Sequence, residues 1–195
     1  MFVIKSKIYT MQLKNLIPAF AIALFITATS FANNPTDPKS DKEVVNADDT
    51  IVGVAASNEN FTTLVAAVKA AGLVDVLNGN GPFTVFAPVN AAFDKLPKGT
   101  VNTLLKPENK KTLTAILTYH VVAGKFNAKD VVAAIKANNG KFVIPTVQGG
   151  KLTASISEGN VILTDVKGNT SKVIITDVKA SNGVVHAIDS VVMPQ

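Results

Sequence analysis

The chain has 195 residues, 47% of them hydrophobic, and a formal charge of +5 carried by 19 Lys with no Arg. That length fits one domain or at most two small ones, and the apolar content excludes a disordered chain. The absence of cysteine excludes disulfides, thiolate metal sites and a cysteine-linked lipid anchor.

Three lysines, Lys5, Lys7 and Lys14, precede an apolar run from Leu16 to Ile26, and no acid occurs before Asn33. Small residues follow, ending Ala28-Thr29-Ser30-Phe31-Ala32. This is the pattern of a signal peptide over residues 1–32 with cleavage after Ala32. An uncleaved anchor helix is the competing reading. The run is short for a bilayer, which needs about 20 residues, and Pro18 interrupts it, so no integral membrane span is expected after cleavage. Removing this segment leaves 16 Lys against 14 acids. Such a small excess, without Arg, argues against a nucleic-acid partner, which would need clustered cations. Residues 33–49 are polar, with two prolines, and read as a disordered linker or spacer. A single domain is expected over 50–195.

Phe61, Leu64, Val65 and Val68 fall on one helical face, with Ser57, Asn58 and Asn60 as caps and Gly72 as the stop. A short turn of helix from Leu73 to Leu77 closes on Asn78-Gly79-Asn80-Gly81. Phe83 to Ala87 reads as a buried strand that Pro88 stops, and Asn90 is positioned to cap a helix carrying Ala91, Ala92 and Phe93. After Pro97 and Gly99, Val101 to Leu105 forms another short helix. Pro107 opens the next, on which Leu113, Ile116, Leu117 and His120 share a face. Val131, Val132 and Ile135 mark one more helix after Asn127. Phe126, Phe142 and Ile144 lie in a less regular stretch.

Beyond Lys141 the period becomes two. Leu152, Ala154 and Ile156 alternate with Thr153, Ser155 and Ser157, and turn signals at Gly159, Gly168 and Asn182-Gly183 separate Val161–Val166, Val173–Val178 and Val184–Met193. This is an antiparallel meander. Helices first and strands later make the class α+β.

Few residues offer chemistry. The two histidines are His120 and His186. His186 with Ser190 and Asp189 invites a Ser-His-Asp reading, but alternation along one strand turns Asp189 to the opposite face, and no GxSxG elbow is present. Metal-ligand spacings, a GxGxxG loop and a P-loop are also missing, so no enzyme activity and no cofactor are expected. Asp165 and Asp177 read as solvated acids at strand ends or on the sheet face. Tyr119-His120 places a polar pair in an apolar stretch. It is either a hydrogen-bonded structural pair at a helix-to-strand junction or an exposed recognition edge. If it is buried, binding falls to loops such as Lys95–Thr100 or Lys167–Thr170.

Three segments together resemble the fasciclin (FAS1) family: Thr84-Val-Phe-Ala-Pro-Val-Asn-Ala-Ala-Phe93, the pair Tyr119-His120, and Asn182-Gly-Val-Val-His-Ala-Ile-Asp-Ser-Val-Val-Met-Pro194. Their order fits one copy spanning about Thr50 to Pro194. The resemblance implies a β-sandwich or wedge of mainly antiparallel strands with a flanking layer of short helices. It also implies a secreted or cell-surface module that adheres to a cell-surface or matrix protein or a polysaccharide and is not an enzyme. Tyr119, His120, Asn90, His186 and Asp189 are the family-motif residues and candidate binding positions. Val89 stands where the family commonly has Thr or Ser, which leaves Asn90 as the expected helix cap. With no Arg there is no RGD. The alternative function is an extracytoplasmic carrier of a small apolar ligand, with Phe126, Phe142 and Ile144 lining its pocket.

Overall fold

A computed structural model describes residues 49–195; the segments read from the sequence as a signal peptide, 1–32, and as a linker, 33–49, lie outside them, Asp49 excepted. Helices dominate the first half. α1 (Ile51–Ala56) is capped by Thr50, whose Oγ1 accepts from the Gly53 N–H. A 3-10 turn at Glu59–Phe61 leads into α2 (Thr62–Ala71), which buries Leu64, Val65 and Val68. Gly72 ends it in the left-handed region, φ 71°, which a β-carbon would strain. α3 (Val74–Leu77), strand β1 (Phe83–Pro88), α4 (Asn90–Asp94), α5 (Thr100–Leu104), α6 (Lys110–Tyr119), β2 (Val121–Ala123) and α7 (Ala128–Ala137) follow. The chain then turns to strands: β3 (Lys141–Pro145), β4 (Lys151–Ser157), β5 (Asn160–Thr164), β6 (Thr170–Ala180) and β7 (Gly183–Ile188).

The seven strands make one sheet in the order β2-β1-β7-β6-β5-β4-β3. β4 to β7 form the expected antiparallel meander, and β3 adds one more antiparallel strand to it. β1 inserts beside β7 in parallel, from Phe83 opposite Gly183 to Pro88 opposite Ile188, and β2 pairs antiparallel with β1. Just past β3, the Val147 N–H donates to Val121 O of β2, so the two sheet edges meet and the sheet rolls nearly into a barrel. The α+β class, the mainly antiparallel strands and the layer of short helices are as expected.

Alternation on β1 and β7 serves two cores. Phe86 and Ile188 point inward with Tyr119, Val122, Ile144, Leu152, Leu163 and Val192, and α7 adds Val131 and Ile135. Val85, Ala87, Val185 and Ala187 point outward, under Ile51, Phe61, Leu64, Val68 and Leu117 of the helical layer. Each fully buried Leu, Ile or Phe contributes about 1.5–3 kcal/mol, so these two clusters dominate the stability. Strands buried on both faces read as continuous apolar runs, as Val85-Phe86-Ala87 does.

Four details differ from the sequence reading. The less regular stretch holds β3, an edge strand whose outward Val143 fills the gap between inward Phe142 and Ile144 and so hides the period of two. Ile156 is exposed at the end of β4. β7 stops at Ile188 instead of running to Met193. The helix over 90–94 has Val89 at its N-cap, with no side-chain cap, so Asn90 does not cap it.

Candidate functional site

The five residues singled out by the sequence are all joints of the framework. Tyr119, the last residue of α6, is fully buried. Its hydroxyl donates to Lys151 O at 2.6 Å and accepts from the Val166 N–H. Burial pushes its pKa up, the bond from Val166 opposes that, and the nearby Asp165 charge adds to the rise. A β-carbon on Gly150 would stand 2.7 Å from the ring's Cε2, so glycine there is what lets the tyrosine seat. His120 is 2% exposed. Its Nδ1–H donates to Ile116 O at 2.8 Å and its Nε2 accepts from the Val192 N–H at 3.3 Å, which makes the ring neutral with one defined tautomer. Burial pulls its pKa down to about 4, against the opposing bond to Ile116 O. An exposed recognition edge at Tyr119-His120 is therefore ruled out: the pair lies inside the molecule.

His186 is buried too, against the Phe86 ring, with centroids 5.7 Å apart. Its Nδ1 accepts from the Asp177 N–H at 3.2 Å, so Nε2 carries the proton it shares with Phe126 O at 2.8 Å. Thr84 braces the same loop, donating to Gly124 O and accepting from the Phe126 N–H. Asp189 serves elsewhere. Its carboxylate accepts from the Lys172 N–H at 2.8 Å and from Lys95 Nζ at 3.1 Å, latching β6 and the end of α4 to the exit of β7. Ser190 takes part in that latch, its Oγ accepting from Lys95. Asp189 and Ser190 thus share one network and His186 belongs to another, so no triad forms. Asn90 reaches across to another helix: its Oδ1 accepts from the Thr63 N–H of α2 at 3.1 Å and its Nδ2 donates to Glu59 O at 2.8 Å. It satisfies the amides of a helix 27 residues earlier in the chain.

Two acids and an asparagine matter more than the sequence showed. Asp165, read as solvated, is 6% exposed. Its two oxygens accept from the N–H groups of Lys167, Asn169 and Met193 and from the Asn169 side chain. Burial alone would raise its pKa, but those bonds, led by Met193 N–H, outweigh it and hold the carboxyl below its usual value. Asp177 sits at a bulge of β6 with φ 58° and accepts from the Ala128 N–H at the start of α7. Asn182, in the β6–β7 turn, accepts from Ile51 N–H and donates to Leu77 O and Gly79 O, fastening α1 and α3 to the hairpin. An Asp two residues before Lys167-Gly168-Asn169 was the available signal for the first, since Asp side chains bond forward to turn amides.

Among the described residues no three His, Cys, Asp or Glu side chains gather where a metal ion could sit, and no helix is long and apolar enough to cross a membrane. An apolar cavity between the helices and β1/β7 holds about 30 Å³. Small-molecule sites run from about 300 Å³ upward, so it is a packing gap about the size of one water. Ile144 is core, Phe126 and Phe142 pack on each other at 6.3 Å, and none of the three lines that cavity, so it lends the carrier reading no support.

The outside of the sheet is only partly covered. The helical layer covers the outer surface of β1 and β7 and leaves the same surface of β3–β6 bare. Its cross-strand rows are Val143–Thr153–Thr164–Thr170 and Lys141–Ser155–Ile162–Lys172, with Pro145 beside Lys151 and Ile174 further along β6. Val143 is 51% and Ile174 46% exposed. The signal was present as alternation: Lys, Thr and Ser recur at every second position of strands whose other face is apolar.

With this fold and these interior polar joints in view, the comparisons agree. A sequence model of the fasciclin domain matches residues 59–194. Protein sll1483 of Synechocystis is 52% identical over 145 residues, 74% of this chain and 73% of its own length. The cell surface glycolipoprotein MPB83 of Mycobacterium bovis is 35% identical over 168 residues, 84% of this chain and 68% of its own. Among solved structures, the FAS1 domain pair from the insect cell adhesion molecule Fasciclin I superposes with a TM-score of 0.64 at 21% identity. That match takes in 72% of this chain and 49% of the pair. The chain belongs to the fasciclin-domain family.

Proposed function

We propose that the protein is an exported, non-enzymatic binding module that adheres to cells, matrix or surface polymers, delivered by a signal peptide cleaved after Ala32. One observation carries this reading. Both imidazoles, the most common general bases of enzymes, are buried, neutral and committed at both nitrogens to main-chain partners, whereas an extended face of the sheet stands uncovered. The family supports it, as does the relative named as a cell surface glycolipoprotein.

The test is retention of the full chain on a panel of bacterial cells, matrix proteins and polysaccharides, against an unrelated exported domain of matching size and charge. Saturable retention on at least one surface is expected; none on any would end the adhesion reading. Ester, amide and glycoside substrates should be turned over no faster than in buffer. Turnover that disappears in His186→Asn while the fold persists would make the protein an enzyme.

A further inference from the structure

We propose that the bare outer face of β3–β6 is a docking surface for an extended polyanionic glycan, one bearing carboxylate or sulfate groups; this rests on the adhesion reading and names its partner. The outward positions of these four strands include three lysines, Lys141, Lys151 and Lys172, and no acid. Among the described residues the ion pairs are Lys95–Asp189 and Lys106–Glu108, so these three ammonium groups are unpaired. The acids near them along the chain do not neutralise them. Asp165 is saturated inside its own turn, Asp177 accepts from the Ala128 N–H, Asp130 from the Asn127 N–H, Asp189 is held by Lys95, and Glu158 is in neither ion pair. The remaining 11 lysines of residues 49–195 lie off this face, as do all 10 acids of that span, Asp165 among them being buried. Positive charge without counter-charge is thus a property of this face.

Lys141 and Lys172 sit at opposite ends of one row across four strands, about 14 Å apart at the backbone. Lys151 lies on a central strand between them, displaced along it. Charges spread this way fit a chain that crosses the strands and not a single small anion. Between the lysines stand Thr153, Ser155, Thr164 and Thr170, whose hydroxyls can both donate to and accept from a polyol. No aromatic residue lies on the outward rows. That removes the stacking platform that single-stranded nucleic acid uses and the Trp and Tyr anchors of a membrane surface. It also removes the ring against which a neutral sugar would stack, which leaves charge and hydroxyl pairing as the means of recognition.

The experiment compares binding of the full chain to dextran sulfate, polygalacturonate, unmodified dextran, single-stranded DNA and phosphatidylglycerol vesicles. The variants are K141Q/K151Q/K172Q and a control, K69Q/K110Q/K111Q, on the helical side. Binding to one of the two anionic glycans and not to dextran is expected. The face variant should weaken it by about tenfold or more with a shallower salt dependence, while the control stays within about twofold. Both variants should melt within about 2 °C of the parent, which separates lost contacts from lost fold. Equal loss in the two variants, or preference for DNA or vesicles over both glycans, overturns the inference. If the parent is retained on cells and the face variant is retained equally well, this surface is not the docking site although adhesion stands. Retention of the parent nowhere ends both readings.

Discussion

Val85 and Ala87 on β1 and Val185 and Ala187 on β7 look out from the same surface of the same sheet as Val143, Thr153, Thr164 and Thr170 on β3 to β6. The first four are buried beneath α1, α2 and α6; the others meet solvent or are half-buried. The chemistry changes where the cover ends. Covered positions are wholly aliphatic, and bare ones are mostly threonine, serine and lysine, which keep strand-compatible shape while remaining hydrated. The transition falls on β6, where register shifts between Val173 and Val178 bend the strand and Ile174 and Ile175 both remain exposed. Helix packing therefore commits one half of the sheet to the core and leaves the other half uncovered.

The same substitution placed in each half gives the largest contrast. Val185→Lys buries an unpaired ammonium under the helices and should cost at least about 4 kcal/mol, enough to unfold most of the protein; Thr164→Lys should change stability by no more than about 0.5 kcal/mol in urea denaturation. If Val185→Lys is tolerated, the helical layer is not a real cover. Asp165→Ala orphans four donors at the rim of the bare half, and a loss of about 3 kcal/mol is expected, with Asp165→Asn intermediate.

Acid should strike through the interior joints. His120 has a folded pKa near 4 against an unfolded value near 6.5, so the unfolded state binds the extra proton. Its stabilising contribution is complete above about pH 6.5 and is lost as pH falls toward 4. Between pH 7 and pH 5 the urea midpoint should record a loss of about 2 kcal/mol, and His120→Gln should flatten that slope. Asp165 and Asp189, held below their usual range, act in the same direction only below about pH 4. Asn90→Ala, which frees the amide of Thr63, should cost about 1 kcal/mol. Lys95→Met, which opens the exposed end of the Asp189 latch, should cost less than about 1 kcal/mol, a shift best read from paired thermal melts.

Much of the helical layer was legible because its signals are local. The Leu64-Val65-Val68 face, the Gly72 stop and the Asn182-Gly183 turn each depend on residues a few positions apart. The meander could be read for the same reason, since hairpins join neighbours in sequence. Non-local partnerships were hidden. β3 escaped because outward Val143 masks its alternation, and the parallel pairing of β1 with β7 joins segments 100 residues apart. Asn90 illustrates the limit at one side chain: its capping chemistry was foreseeable, but which helix it would cap depended on α2 folding back against α4.

Class and the aliphatic core positions follow from the order of the residues, because hydrophobic periodicity and turn chemistry act over a few residues at a time, and the family follows from the resemblance of three motif segments. Which polar groups vanish inside and which face solvent does not. Tyr119, His120, His186 and Asp165 became interior only when distant main-chain partners, Lys151, Val192, Phe126 and Met193 among them, were brought within hydrogen-bonding distance. A buried polar group requires a partner, and only the rolled sheet and the loops packed on it supply those partners, so the tertiary structure decided that the motif residues hold the fold together and which face of the sheet is left uncovered.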